Sequence, residues 1–413
     1  MAATTKIEWA TATWNPWIGC TKVSEACRYC YAERDQAGRR KRVVWGQHGT
    51  RSRTSPAYWR QLLTWNERAE CLRTFDCATG DHADCCPQSR SNRPRVFVGS
   101  LCDLFEDWDG PILAHGKDPV FLGRGGRAST GPADRMRLDD LRAELWPLIC
   151  QFQNLDFLLL TKRPQNARLM IPGEWFDSWP PNCWIGTTVE DQAAANSRIP
   201  HLLELPAPVR FLSCEPLLAP LNLRQLLPAR LAVLQCQQCQ AFHNTLQDCS
   251  WCGADCSELS GQHAANVRDP QDAGRWTNWQ PIDWIICGGE SGPEARISHP
   301  AWFRELRDVA LASGVPFLFK QWGEWAPCSP DQWHGLGPNA LPRQLVVSPS
   351  GRDSCSGFLS KTASAQAKAD GWLPMQRIGK AAAGNELDGR KWLEIPRPMD
   401  RRLVLPAGKA AAE

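Results

Sequence analysis

The chain has 413 residues, 43% of them hydrophobic and 22% charged, so it is long enough to bury a large core, and its formal charge of +3 supplies no global field that would recruit nucleic acid. Any contact with a polyanion would therefore rest on a local patch. No apolar run approaches a membrane span and the first residues lack the order of a signal peptide, so a soluble cytoplasmic protein with no membrane partner is expected. In such a protein nineteen cysteines point to metal sites before disulfides.

The first informative stretch runs from Trp14 to Ala32 and sets Cys20, Cys27 and Cys30 at C-x6-C-x2-C spacing. Cys27 and Cys30 can hold adjacent corners of a metal site, and the turn through Pro16 and Gly19 lets Cys20 fold back to a third. No fourth ligand follows nearby. Three thiolates suit a [4Fe–4S] cluster with one iron left open, whereas structural zinc is normally closed by four ligands. The alternatives are a small zinc site or a loop of free cysteines.

Tyr31 to Arg42 then has helical composition and a basic end, Gly38-Arg39-Arg40-Lys41-Arg42. A solvated helix terminus explains that end more simply than a phosphate-binding patch does. Ser55 and Pro56 open a helix to about Ala69. After it comes a turn-rich insertion, residues 70–94, in which Cys71, Cys77, His82, Cys85 and Cys86 have metal-ligand chemistry but no diagnostic spacing.

From Arg95 the chain alternates short apolar runs with helical segments. The runs are Val96–Gly99, Phe157–Thr161, Cys183–Thr187, Val209–Ser213, Ile282–Cys287 and Val315–Phe319; the helices include Ala133–Cys150, Pro164–Met170, Asp191–Leu205 and Pro300–Ser313. Continuous apolar runs are what parallel strands covered on both faces require. With a first strand near Ile7, the reading is an α/β fold, a partial or complete TIM-type (β/α) barrel of about seven strands. Polar residues stand just past the carboxyl ends of the runs: Asp103, Lys162, Arg163, Glu190, Glu215, Gly288-Gly289-Glu290 and Lys320-Gln321. Barrel enzymes assemble their sites there, which makes Lys162, Glu190, Glu215 and Lys320 catalytic candidates.

Between the fourth and fifth runs, in an insertion at about 231–280, Cys236, Cys239, Cys249 and Cys252 form C-x2-C-x9-C-x2-C. Two such knuckles bring four thiolates into tetrahedral reach of Zn2+, a zinc ribbon whose metal would supply its folding energy. Residues 1–330 thus read as one barrel with two insertions, and 331–413 as an extension of loops and short elements packed on it.

Lys6-Ile7-Glu8-Trp9 through Ala32, Val96–Ser100, Leu160–Pro164, Val189–Gln192, Glu215-Pro216-Leu217, Gly288–Gly292 and Phe319–Gly323 together resemble the phage Gp37/Gp68-like family (DUF5131). That family's three-cysteine motif is similar to the one in radical SAM enzymes, which space it C-x3-C-x2-C with an aromatic residue before the last cysteine. Tyr29 matches; the longer first gap departs. The resemblance implies a radical SAM-like barrel in which Cys20, Cys27 and Cys30 hold the cluster and S-adenosyl-L-methionine binds its open iron. Gly288, Gly289 and Glu290, with Asp103 beside them, are the candidates for the amino and carboxylate groups of SAM. Such an enzyme needs an electron donor such as a flavodoxin or ferredoxin, and its substrate is open, nucleic acid or a nucleotide included. The competing class is a zinc-stabilised, nucleic-acid-associated binding protein without turnover.

Overall fold

The computed structural model describes residues 5, 7–75, 93–110, 112–115, 120–124, 126–129, 131, 134–227, 234–235, 242–243, 282–328, 344–351, 353–355, 366 and 369–396. Its centre is a sheet of Ala12–Trp14 (β1), Arg95–Val98 (β2), Asp156–Thr161 (β3), Cys183–Thr188 (β4), Arg210–Cys214 (β5), Trp284–Gly288 (β6) and Phe317–Gln321 (β7). The strands lie side by side in chain order and every pair is parallel. The sheet curls into a half-barrel, and among the described residues β1 and β7 are its two edges.

Period-2 alternation sends each strand's apolar residues to both faces, which explains why the sequence shows continuous runs. On the convex side Val96, Val98, Phe157, Leu159, Ile185, Leu212, Ile285 and Phe317 pack under the helices Pro56–Phe75 (α1), Leu138–Gln151 (α2), Pro164–Met170 (α3), Gln192–Leu203 (α4) and Pro300–Ala312 (α5). The helices are punctuated as their sequences require. Asp191 caps α4 by accepting from the Ala194 N–H at 2.8 Å, Pro300 opens α5, and Gly314 follows it at φ +63°.

The concave side has a separate floor of Phe97, Leu158, Trp184, Phe211, Trp284, Ile286 and Leu318. The first strand begins later than expected, at Ala12, and Trp9 enters this floor instead. Its ring lies 4.6 Å from Phe97 and within 6.5 Å of Phe211 and Trp284. Gly186 makes the packing feasible, since a Cβ there would come within 2.5 Å of the Phe211 ring. A ring that large needs a neighbour with no side chain.

Beyond β7 the short elements gather into a four-stranded antiparallel sheet of Trp325–Pro327, Leu373–Arg377, Gln344–Val347 and Asp353–Cys355. Residues Trp392 to Glu394 then return along the free edge of β7, where Phe319 donates to Trp392 at 2.9 Å and Glu394 to Phe317 at 3.2 Å.

Cys71 falls in the last turns of α1, whereas Cys77, His82, Cys85 and Cys86 lie outside the described residues, as do Cys236, Cys239, Cys249 and Cys252. Two short antiparallel strands, Leu234–Gln235 and Phe242–His243, flank the segment that carries Cys236 and Cys239. Among the described residues no helix is long and apolar enough to cross a membrane.

Candidate functional site

The carboxyl ends of the strands surround a cavity of about 510 Å³, a size suited to a cofactor or small ligand. Cys20, Cys27 and Cys30 all line it. They arrive there because the loop after β1 is folded back over the end of β2. Asn15 accepts from the Leu101 N–H at 2.7 Å and Gly19 donates to the Leu101 carbonyl at 3.0 Å. Gly19 has φ +117°, and a Cβ would meet the Thr50 carbonyl at 2.7 Å, so no other residue fits this turn.

A buried ionic frame holds the first cysteine. Arg51 has 0% exposure and grips Glu106 through two hydrogen bonds of 2.8 and 2.9 Å, while donating to the Thr21 hydroxyl at 2.9 Å. Arg163 donates to the Thr21 carbonyl at 2.7 Å, to Asp103 at 2.9 Å and toward Cys20 Sγ at 3.7 Å. Burial, aided by the charges of Glu106 and Asp103, pushes the Cys20 thiol up to about 12 against the opposing pull of Arg163. Burial also raises Cys30. Thiolates here need a bound cation to offset their desolvation.

The other side of the loop is tied to the glycine-rich turn after β6. Arg296 donates to both Glu290 oxygens at 2.8 Å and reaches Glu25, beside Cys27, at 3.1 Å. Its guanidinium also covers the Tyr29 ring, 5.2 Å from the centroid. Nothing in the spacing of the sequence singles out Arg296, Arg51 or Glu106; only the fold brings them to the loop.

Of the residues expected at the site, Asp103, Lys162, Glu215, Gly289, Glu290 and Lys320 line the same cavity as the three cysteines. Glu190 does not. It pairs with Arg198 at 2.6 Å and accepts from Ser24; burial works against its charge, but the Arg198 hydrogen bonds outweigh this and hold its carboxyl below the usual range. Gly288 stands behind the lining, where a Cβ would approach Glu215 to 3.3 Å. Gly289 is required by packing, because a Cβ would lie 1.9 Å from the Trp322 carbonyl.

The carboxylates differ sharply in their freedom. Asp103 accepts at Oδ1 from the Thr161 hydroxyl and the Phe105 amide and at Oδ2 from the Lys162 amide and Arg163, so both oxygens are occupied. Glu290 is likewise filled by Arg296. Glu215 accepts at Oε2 from the Trp9 indole at 3.3 Å, whereas Oε1 lies 3.1 Å from Lys320 Nζ without a directed hydrogen bond. That contact is charge proximity. Gln321 Oε1 is buried without a partner in the same lining. Lys162 Nζ meets the Thr188 hydroxyl at 3.2 Å.

Cys102 also lines the cavity, and its place alone after β2 gives it no spacing that marks a ligand. Among the described residues no three Cys, His, Asp or Glu side chains are grouped as ligands of one metal ion. The three loop thiols line one cavity. Three thiols brought from one loop to one cavity are the donor chemistry that a [4Fe–4S] cluster would take.

Fold and site define an α/β half-barrel protein with a three-cysteine cavity at the carboxyl end of its parallel sheet. The chain belongs to a family described as proteins of unknown function (DUF5131), whose model matches residues 4–109 and 135–396. No curated protein and no solved structure matches the chain.

Proposed function

We propose that the protein is a radical SAM-like iron–sulfur enzyme, in line with its resemblance to the phage Gp37/Gp68-like proteins. The observation that carries this reading is the meeting of Cys20, Cys27 and Cys30 in one cavity at the carboxyl end of a parallel half-barrel, where Cys102, from the loop after β2, is a fourth lining thiol. When bound, a [4Fe–4S] cluster with one open iron supplies the electron for reductive cleavage of SAM, which starts a radical reaction.

The chain's own part is placement. Arg51, Glu106 and Arg163 hold the Cys20 arm, and Arg296 ties the Cys27 arm to the turn at Glu290. Since Asp103 and Glu290 are filled by neighbouring donors, they shape this wall; the carboxylate with capacity left for a ligand is Glu215. Lys162, Lys320 and Glu215 are the groups that can hold or move a proton beside a bound substrate.

The paired strands around the Cys236–Cys239 segment support the zinc ribbon as a second metal site, since a knuckle joins two such strands. Anaerobic reconstitution with iron and sulfide tests the main reading. About four irons per chain and slow formation of 5′-deoxyadenosine with dithionite and SAM are expected. A colourless protein that takes up zinc alone would leave the non-catalytic binding module as the better account.

A further inference from the structure

We propose that the substrate is a single-stranded nucleic acid, its phosphates on a basic rim beside the cysteine loop and one unpaired nucleotide in the cavity; this names the substrate of the site read above and rests on that reading. The whole chain carries only +3, but residues 20–50 hold seven Lys and Arg against three Asp and Glu. All three acids are already paired: Glu25 with Arg296, Glu33 with Lys22, and Asp35 with Arg40. Arg39, Lys41 and Arg42 remain exposed and, among the described residues, lie in no ion pair. A solvated helix end would tolerate such a run anywhere. Here it closes the helical segment that starts at Tyr31, next to Cys30, which places it on the order of 13 Å along the chain from the thiol.

Inside the cavity the charges are arranged to continue that surface. Lys162 and Lys380 both line it, and neither lies in an ion pair among the described residues, so each can meet a phosphate. Gln321 Oε1 is a buried acceptor without a partner, in a residue only 6% exposed, and Glu215 Oε1 has only the Lys320 ammonium 3.1 Å away. Buried acceptors of this kind call for N–H donors from a ligand. A nucleotide supplies both kinds of group at once, an anion and a base edge carrying N–H donors. The Trp45 and Tyr31 rings complete the lining and offer apolar faces to a base. A paired base could not enter, because its donor edge is hidden in the duplex. A free mononucleotide would leave the outer run of cations unused.

The test is fluorescence anisotropy of a labelled single-stranded 12-mer with the full chain, before and after cluster reconstitution. Affinity should fall with salt, with a slope of about 0.7 per phosphate contact. The triple variant Arg39→Glu, Lys41→Glu, Arg42→Glu should bind at least tenfold more weakly and lose about two units of that slope. Arg60→Glu with Arg68→Glu, on the exposed side of α1, is the control for bulk charge and should change affinity less than twofold. Competition by a mononucleotide should be at least a hundredfold weaker, and the matching duplex should bind less well than the strand. Equal loss in the α1 control, equal competition by the mononucleotide, or no binding at about 50 mM salt would each overturn the proposal. Iron is scored separately. Strand binding without iron retains the strand as a partner and removes the radical chemistry, whereas a loaded cluster without strand affinity does the reverse.

Discussion

The two ends of the half-barrel are built from opposite materials. Its floor is a set of interlocked rings, Trp9, Phe97, Trp184, Phe211 and Trp284, with centroids 4.6 to 6.5 Å apart. Its mouth is held by buried ion pairs, Arg51 with Glu106 and Arg163 with Asp103, and by the bridge from Arg296 to Glu290 and Glu25. Apolar packing is indifferent to direction, so the floor can be dense but cannot aim a ligand. Ionic hydrogen bonds are directional, and they hold the cysteine loop in place beside the cavity. Stability sits below and orientation above.

The largest effect expected from breaking this division is at the floor. Trp284→Ala should cost about 3 to 5 kcal/mol by urea unfolding, because the cavity is ringed by side chains that cannot collapse into it. A loss below about 1 kcal/mol would show that the floor does not carry the fold. Glu106→Ala should cost a comparable 3 to 5 kcal/mol, since it leaves Arg51 buried and unpaired. A milder result would mean that water replaces the carboxylate and that the frame at the mouth is softer than its burial implies.

A third measurement sharpens the contrast at the floor's rim, where Asp156 begins β3. Burial raises its carboxyl to about 7, against the opposing charge of Arg93 3.4 Å away. The folded state therefore holds a proton that the unfolded chain releases near pH 4, so stability should fall as pH rises from about 4 to about 7 and level off above that. The loss should be on the order of 4 kcal/mol, and Asp156→Asn should remove it. Persistence of the slope in that variant would assign it to another group. The smallest change in stability is expected for Cys27→Ala, within about 1 kcal/mol, because the side chain is only half-buried. Bound iron should nevertheless disappear, and unchanged iron content would separate the loop from the metal.

The parallel sheet could be read directly from the chain because strands covered on both faces become unbroken apolar runs, as from Phe157 to Leu160 and from Trp184 to Ile185. Pro164 and Pro300 marked helix starts for the same local reason. The pattern near Ile7 suggests a first strand there, earlier than the observed Ala12–Trp14, because a large aromatic residue, Trp9, looks the same whether it sits in a strand or plugs the barrel beside one. At the site, residues placed by strand ends were legible, and Asp103, Lys162, Glu215, Glu290 and Lys320 do reach the cavity with the cysteines. Glu190 occupies an equivalent position in the sequence yet faces Arg198. One residue of register or one nearby guanidinium decides such a case, and neither is written in local spacing. Arg51 and Arg296 were invisible because they come from loops whose approach to the cysteines depends on the tertiary fold.

The segment from Trp392 to Glu394, laid along the outer side of β7, has a consequence for how copies of this protein tolerate one another. An open half-barrel leaves its last strand with a row of unpaired backbone groups, an invitation for the same strand of another molecule to add on. By occupying that row, three residues near the end of the matched region act as a built-in blocker. A chain cut just before Trp392 should keep its three-cysteine loop and its aromatic floor, yet become prone to self-association that grows with concentration.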